Sequence, residues 1–326
     1  MEHTFLAELV AIHYGIANAY LQPMTSDSGK RLYRVEAPDG QRSVLHLTQA
    51  CDQKRCAELA RVLLFLEQQH YPAERIVPTL KQTDIGTMNG WCHIMTQFVE
   101  GTHPDYSPEA LFALGAQLGR LHGLTLPEKR TFPKAGMLPQ NELAFAQQQL
   151  ASIADKVPEQ FHERYKMLQE ALSSLDRCEN LPVVLLHNDY HPANAIYTQH
   201  GELTFIDWDG AGVGPAIIDL GFLLSNCDGS VPWAPLPLTG EFHPDKTKLT
   251  AVLAGYSQYQ QLVTEELDLL PDAIRFRALV FGACHFASMI TEHGTPGPLM
   301  QWWARYTAAD EITDIVMNPM PKGKSS

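Results

Sequence analysis

The stretch H-N-D-Y-H-P-A-N at residues 187–194, with F-I-D-W-D at 205–209 close behind it, decides how the rest of the chain is read. Its side chains include the carboxylates Asp189 and Asp207 and the carboxamide Asn194. A carboxylate can orient a hydroxyl and accept its proton, while an amide oxygen and a second carboxylate are suitable ligands for a hard divalent cation such as Mg2+. Val183 to Leu186, Ala195 to Tyr197 and Leu203 to Ile206 have strand character. If the first strand delivers a loop and the other two return beside it as a hairpin, the three polar residues converge at one rim. Two plainer readings compete. Asp and Asn favour turns in any protein, and His187-x-Asp189-x-His191 could be a metal-hydrolase cluster, against which stand Pro192 and the lack of a further histidine cluster.

Upstream, Phe5, Leu6, Leu9 and Val10 recur at helical spacing before Gly15, which predicts a short first helix with a glycine stop. Strands are expected at Ala19–Met24, Leu32–Glu36 and Ser43–Thr48, the last two joined by a Pro38-Asp39-Gly40 turn. Asp52 can cap a helix that buries Cys56, Leu59, Leu63 and Leu66. Two more strands, Ile76–Lys81 and Trp91–Phe98, would flank a turn at Thr83–Gly90. After Glu100-Gly101 the pattern turns helical, beginning at Ser107-Pro108, a cap with proline at the first helical position. Leu111–Leu124, Asn141–Ala154 and Pro158–Leu175 are the helix candidates ahead of the motif, and helices resume after it to about Ile315. Residues 321–326 read as a flexible tail.

The chain has 326 residues and a formal charge of −13. That length allows two cores. The acidity argues against nucleic acid or an anionic membrane as partner, since both are bound through clustered Lys and Arg, and it suits a cationic one better. The six cysteines form no C-x-x-C pair, so buried, reduced thiols in a cytoplasmic protein are expected. The N-terminus lacks the features of a signal peptide. Leu279 to Ile290, the most apolar helical stretch, contains Gly282 and His285 and belongs in a core rather than a bilayer.

The compound motif resembles the catalytic loop of the aminoglycoside phosphotransferase and choline kinase superfamily, within the protein-kinase-like fold. The pattern H-x-D-x-x-x-x-N followed by I-D-W-D is met by His187, Asp189, Asn194, Asp207 and Asp209, and G-P-A-I-I-D-L continues it through Gly214 and Asp219. This resemblance implies a bilobal α+β fold, with a five-stranded antiparallel N-lobe at residues 1–99 and a mainly helical C-lobe at 100–320. It implies Asp189 as catalytic base, Asn194 and Asp207 as Mg2+ ligands, His187 as a support of the loop and Asp219 as its buttress. Asp209 would touch a second metal or the substrate, or serve structure. Gln97 to Gly101 resembles the hinge that receives adenine, through Gln97 and Val99, and Ser28-Gly29 would lie in the phosphate-covering turn.

One departure concerns the third strand. The family carries Lys or Arg there, paired with a helix glutamate that corresponds to Glu58, whereas S-V-L-H-L offers His46. Glu58 and a triphosphate would both favour a charged imidazole, and Lys30, Lys54 or Arg55 are alternative sources of charge. A second departure is Asn188, where glycine is commonest. Asn tolerates positive φ better than most residues.

The activity implied is Mg2+·ATP-dependent phosphorylation of a hydroxyl on a small molecule such as an aminoglycoside or amino alcohol. Seven positions from Asp207 to Gly214 leave little room for a long activation segment. A protein Ser/Thr kinase of the bacterial stress-response type and a nucleotide-binding pseudokinase are the alternatives. His191, Asp228 and Trp302 are candidate acceptor contacts, with Trp233, Trp303 and Tyr306 as further aromatic candidates and Glu292 as a second acid for a cationic acceptor.

Overall fold

The computed structural model describes residues 2–24, 31–49, 53–126, 139–175, 178, 180–227, 244–294 and 300–318. Ser28, Gly29 and Lys30, the cap at Asp52, Asp228, Trp233 and the tail 321–326 lie outside them. The chain divides into two compact units, residues 1–103 with 195–209 and residues 104–194 with 210–326. The division differs from the expected one at residue 99, because the hairpin after the motif pairs with the end of the first segment.

The smaller unit opens with helix α1 (Glu2–Tyr14), stopped by Gly15 at φ 73°. Strands β1 (Tyr20–Met24), β2 (Arg31–Glu36), β3 (Arg42–Gln49), β4 (Gly86–Met88) and β5 (Trp91–Gln97) form one antiparallel sheet in the order β1-β2-β3-β5-β4. Period-two alternation in β3 sends Leu45 and Leu47 into a core shared with Leu6, Leu9, Val10 and Tyr14 of α1. Val44, His46 and Thr48 therefore take the opposite face. Helix α2 (Gln53–Gln68) buries Cys56, Leu59, Leu63 and Leu66, as their spacing requires.

The fourth strand is not where the sequence suggested. Residues 76–81 form no strand: Ile76 makes one bridge to Thr96, Pro78 has no N–H, and Thr79 N–H turns back to Thr83 O. The partner of β5 is Gly86–Met88, joined to it by Asn89 (φ 48°) and Gly90 (φ 80°). Both central residues have positive φ, the geometry of a type I′ hairpin for which Asn-Gly is the strongest local signal. A second sheet takes β6 (Gly101–Thr102), β8 (Ala195–Thr198) and β9 (Leu203–Phe205) in the order β6-β8-β9.

The larger unit contains α3 (Pro108–His122), α4 (Pro139–Ala151), α5 (His162–Ser174), α6 (Ala216–Ser225), α7 (Lys246–Tyr256), α8 (Thr264–His293), α9 (Met300–Thr307) and α10 (Ala309–Met317). Strands β7 (Val183–Leu186) and β10 (Gly212–Pro215) pair antiparallel. Ser107 caps α3, its Oγ accepting from Ala110 N–H at 3.2 Å. Helices α3 and α7 cross in backbone contact: a Cβ on Gly115 would meet Val252 O at 2.0 Å, and one on Gly255 would meet Phe112 O at 2.0 Å. Helix α8 is long and apolar enough to cross a membrane, yet 67% of its most apolar window is buried inside the protein. It forms the core of this unit, packing on α4, α6 and α9.

Candidate active site

In the larger unit the motif leaves β7 at His187 and bends through Asn188, whose φ is 67°. This bend turns two consecutive backbone N–H groups toward α6. Asp219, fully buried in the first turn of that helix, accepts His187 N–H on Oδ2 at 2.7 Å and Asn188 N–H on Oδ1 at 2.9 Å. One carboxylate thus satisfies two donors that the end of the strand would otherwise leave orphaned. Asp219 thereby ties the start of the loop to α6. His187 supports the loop through Nδ1, which accepts Asp189 N–H at 3.3 Å, and Tyr190 ties it to α3 by donating to Leu114 O at 2.9 Å.

Asp189 keeps its side chain 30% exposed. Asn194 donates through Nδ2 to Asp189 O at 3.0 Å and to Asp189 Oδ2 at 2.9 Å. The amide is thereby oriented with its oxygen, the atom a cation would use, turned from the carboxylate. His191 Nε2 lies 3.5 Å from Asp189 Oδ1. Burial works against the charge on Asp189, but the hydrogen bond and charge of His191, the charge of His187 and the Asn194 amide outweigh it and hold the carboxyl at about 2. The residue is a carboxylate at any physiological pH.

In the smaller unit Asp207 follows β9 with φ 63°, a conformation few non-glycine residues adopt. Its backbone N–H donates to Glu74 Oε1 at 2.9 Å, while Thr96 Oγ1 donates to Glu74 Oε2 at 2.9 Å. His46 Nε2 stands 3.2 Å from Thr96 Oγ1 and 3.9 Å from Glu74 Oε2. Next along the chain, Trp208 is buried edge-on against Tyr71 and donates to Phe205 O at 3.0 Å, which anchors the turn carrying Asp207 and Asp209. Burial raises the Glu74 carboxyl above its ordinary range, with His46, Thr96 and the Asp207 N–H opposing.

The expected pairing of His46 with Glu58 is replaced by a different one. Glu58 sits on α2 with Lys54 Nζ at 3.8 Å, and the acid beneath His46 is Glu74. The segment after α2 bridges Ile76 to Thr96, which brings Glu74 under the sheet face that His46 occupies. Sequence reasoning missed Glu74. Its signal is an acid in the proline-bounded, largely apolar run P-A-E-R-I-V-P at 72–78. His191 is 3% exposed, edge-on to Phe222, with Nδ1 accepting Ala193 N–H at 3.3 Å. Gln97 ends β5, its N–H on Arg75 O, and half-buried Val99 follows in an irregular segment. Asp209 is half-buried near Cys56. Trp302 packs with Phe222 and Ala278 and walls a cavity of the larger unit with Arg164, Met167 and Tyr306. Among the described residues no group of three or more His, Cys, Asp or Glu side chains forms a metal cluster.

Residues 21–282 match the model of the phosphotransferase enzyme family. The chain is 28% identical to the amicoumacin kinase of Bacillus subtilis (strain 168) over 188 residues, 56% of this chain and 52% of that one. It is 27% identical to stress response kinase A of Salmonella choleraesuis (strain SC-B67) over 220 residues, 64% and 60% of the two chains. It therefore spans about half to three-fifths of the length of these relatives. Among solved structures, an amicoumacin kinase in complex with AMP-PNP and Ca2+ superposes with TM-score 0.69 at 18% identity, covering 96% of this chain and 94% of the other. A microcompartment-associated aminopropanol kinase superposes with TM-score 0.62 at 18% identity, covering 95% and 98%. The α+β fold, a five-stranded antiparallel sheet followed by a mainly helical part, is the fold of these kinases. By the extent of the family match and the motif geometry together, the chain belongs to the phosphotransferase enzyme family.

Proposed function

We propose that the protein is a Mg2+·ATP-dependent phosphotransferase that phosphorylates a hydroxyl of a small molecule. The observation that carries this reading is Asp189: an ionised, partly exposed carboxylate on a loop pinned by Asp219, with one oxygen held by Asn194. Such a group orients an acceptor hydroxyl and takes its proton as the phosphorus–oxygen bond forms. Its low basicity fits a loose transition state in which proton transfer comes late. Asn194 Oδ1 and the Asp207 carboxylate are hard oxygen donors of the kind Mg2+ takes. When bound, the cation would neutralise charge on the phosphates. In the smaller unit, His46 and the Glu74–Thr96 pair would meet the nucleotide from the third and fifth strands, with Gln97 and Val99 offering backbone groups to the base.

The acceptor is expected to draw on the cavity of the larger unit walled by Met167, Leu168, Leu279, Trp302 and Tyr306. Among the described residues in this wall Arg164 is the one charged side chain, so the cavity suits a flat apolar moiety better than a cation. The thiols of Cys56, Cys92 and Cys284 support a reducing, cytoplasmic setting.

The test is transfer from labelled ATP to a panel of aminoglycosides, amino alcohols, homoserine and methylthioribose, with autophosphorylation read in parallel. Asp189→Asn should abolish transfer and spare ATP binding, and Asp207→Ala should weaken metal-dependent ATP binding itself. Label entering protein alone would favour a protein Ser/Thr kinase. ATP binding with no turnover in Mg2+ or Mn2+ would favour a pseudokinase.

A further inference from the structure

The residue before Asp189 is held by its side chain as firmly as by its backbone. Asn188 Nδ2 donates to Gly210 O at 2.9 Å, and Asn188 Oδ1 accepts from Nη2 of Arg277, a buried residue of α8. The Nη1 of Arg277 is bound in turn by Glu142 of α4, also buried. Arg277 Nε and Glu142 Oε1 are buried without a hydrogen-bond partner among the described residues, so the ion pair is made through Nη1 and Oε2 alone. The arginine also lies 5.3 Å from the Phe276 ring and 5.7 Å from that of Phe281, which restrict its swing.

A buried ion pair of this kind is a poor stabiliser. Desolvation consumes most of the Coulombic gain, and well-packed apolar residues often do as well or better. The pair's third contact is what an apolar substitute could not supply: a fixed donor for the side chain adjoining Asp189. A glycine at position 188 could adopt φ 67° freely but would offer nothing to hold. We propose that Glu142, Arg277 and Asn188 form a clamp that immobilises the loop carrying Asp189, and that all three are positioning residues for phosphoryl transfer. The second clause rests on the function proposed above; the first does not.

The experiment separates them. Amide hydrogen exchange over residues 186–194 is measured in the native protein, in Asn188→Gly and in Glu142→Leu/Arg277→Met. Asn188→Gly keeps the backbone and should fold. Exchange in that segment should rise about tenfold or more in both variants, without a matching rise elsewhere, and the triple variant should add nothing beyond either. Unchanged exchange in Asn188→Gly, or effects that multiply in the triple variant, would overturn the clamp whether or not the protein is a kinase. Where turnover is measured, kcat should fall about tenfold in Asn188→Gly with KM for ATP unchanged. A raised KM with unaltered kcat would show that the clamp does not position the reacting group. If Glu142→Leu/Arg277→Met fails to fold, Asn188→Gly alone decides.

Discussion

Replacing Asp219 with Asn tests whether one buried carboxylate holds the loop in place. The carboxylate accepts two backbone N–H groups, at 2.7 and 2.9 Å, and is fully buried. An asparagine of the same shape can offer its oxygen to only one of them. The other N–H would face an NH2 donor with no water to turn to. A hydrogen bond to a charged group contributes about 1.5–3 kcal/mol, and an orphaned buried donor costs on the same order. Relief of the carboxylate's own desolvation offsets part of this, which leaves a loss of about 2–4 kcal/mol for Asp219→Asn and more for Asp219→Ala. Against a typical total of about 5–15 kcal/mol, the Asn variant should remain folded at 25 °C and the Ala variant should be marginal. Urea unfolding followed by tryptophan fluorescence measures both losses, and hydrogen exchange at His187 and Asn188 locates them. A loss below about 0.5 kcal/mol in Asp219→Asn, or equal losses in the two variants, would refute the assignment of two carboxylate-bound N–H groups.

Three further expectations concern charge. Glu74 has a raised carboxyl in the fold, so the stability it confers is fully present below the unfolded value of about 4.5 and is lost as pH rises through the folded value. Glu74→Gln should flatten that decline in a series of melting temperatures from pH 5 to 8. Asp189 runs the other way: its folded value of about 2 lies below that of an unfolded aspartate, so its contribution is present above about pH 4 and lost between pH 4 and 2. Acid unfolding followed by circular dichroism should therefore be shallower over that window in Asp189→Asn. For the nucleotide, His46→Lys should hold or raise affinity measured by calorimetry, since the new ammonium would meet Glu74. Glu58→Gln should leave affinity unchanged; a loss comparable to that of Glu74→Gln would restore Glu58 as the partner.

How far the sequence could be read depended on whether a feature was local. The bend at Asn188, the stop at Gly15 and the cap at Ser107 are set by single residues whose φ preferences or hydroxyls act on their neighbours, and each falls at the residue the sequence indicated. Asp219 was legible because it came with an ordered motif. The fourth strand was misplaced because Ile76-Val77 pairs with the far end of β5 for only one bridge before Pro78, while Asn89-Gly90 closes a hairpin that pairs Gly86–Met88 with the near end. Glu74 beneath His46 and the Glu142–Arg277 pair were invisible for another reason. Each contact joins residues 28 to 135 positions apart, and a lone acid or arginine in a half-apolar segment looks the same whether it is buried or solvated.

The crossing of α3 and α7 has an implication for which positions tolerate change. Gly115 is adjacent to Leu114, whose carbonyl receives Tyr190, and Gly255 meets α3 one turn earlier, at Phe112. A single methyl at either glycine would force the two helix axes apart and carry the Tyr190 anchor with it. In a saturation library selected for turnover, Gly115 and Gly255 should therefore be depleted of every substitution, alanine included, as severely as the motif residues themselves.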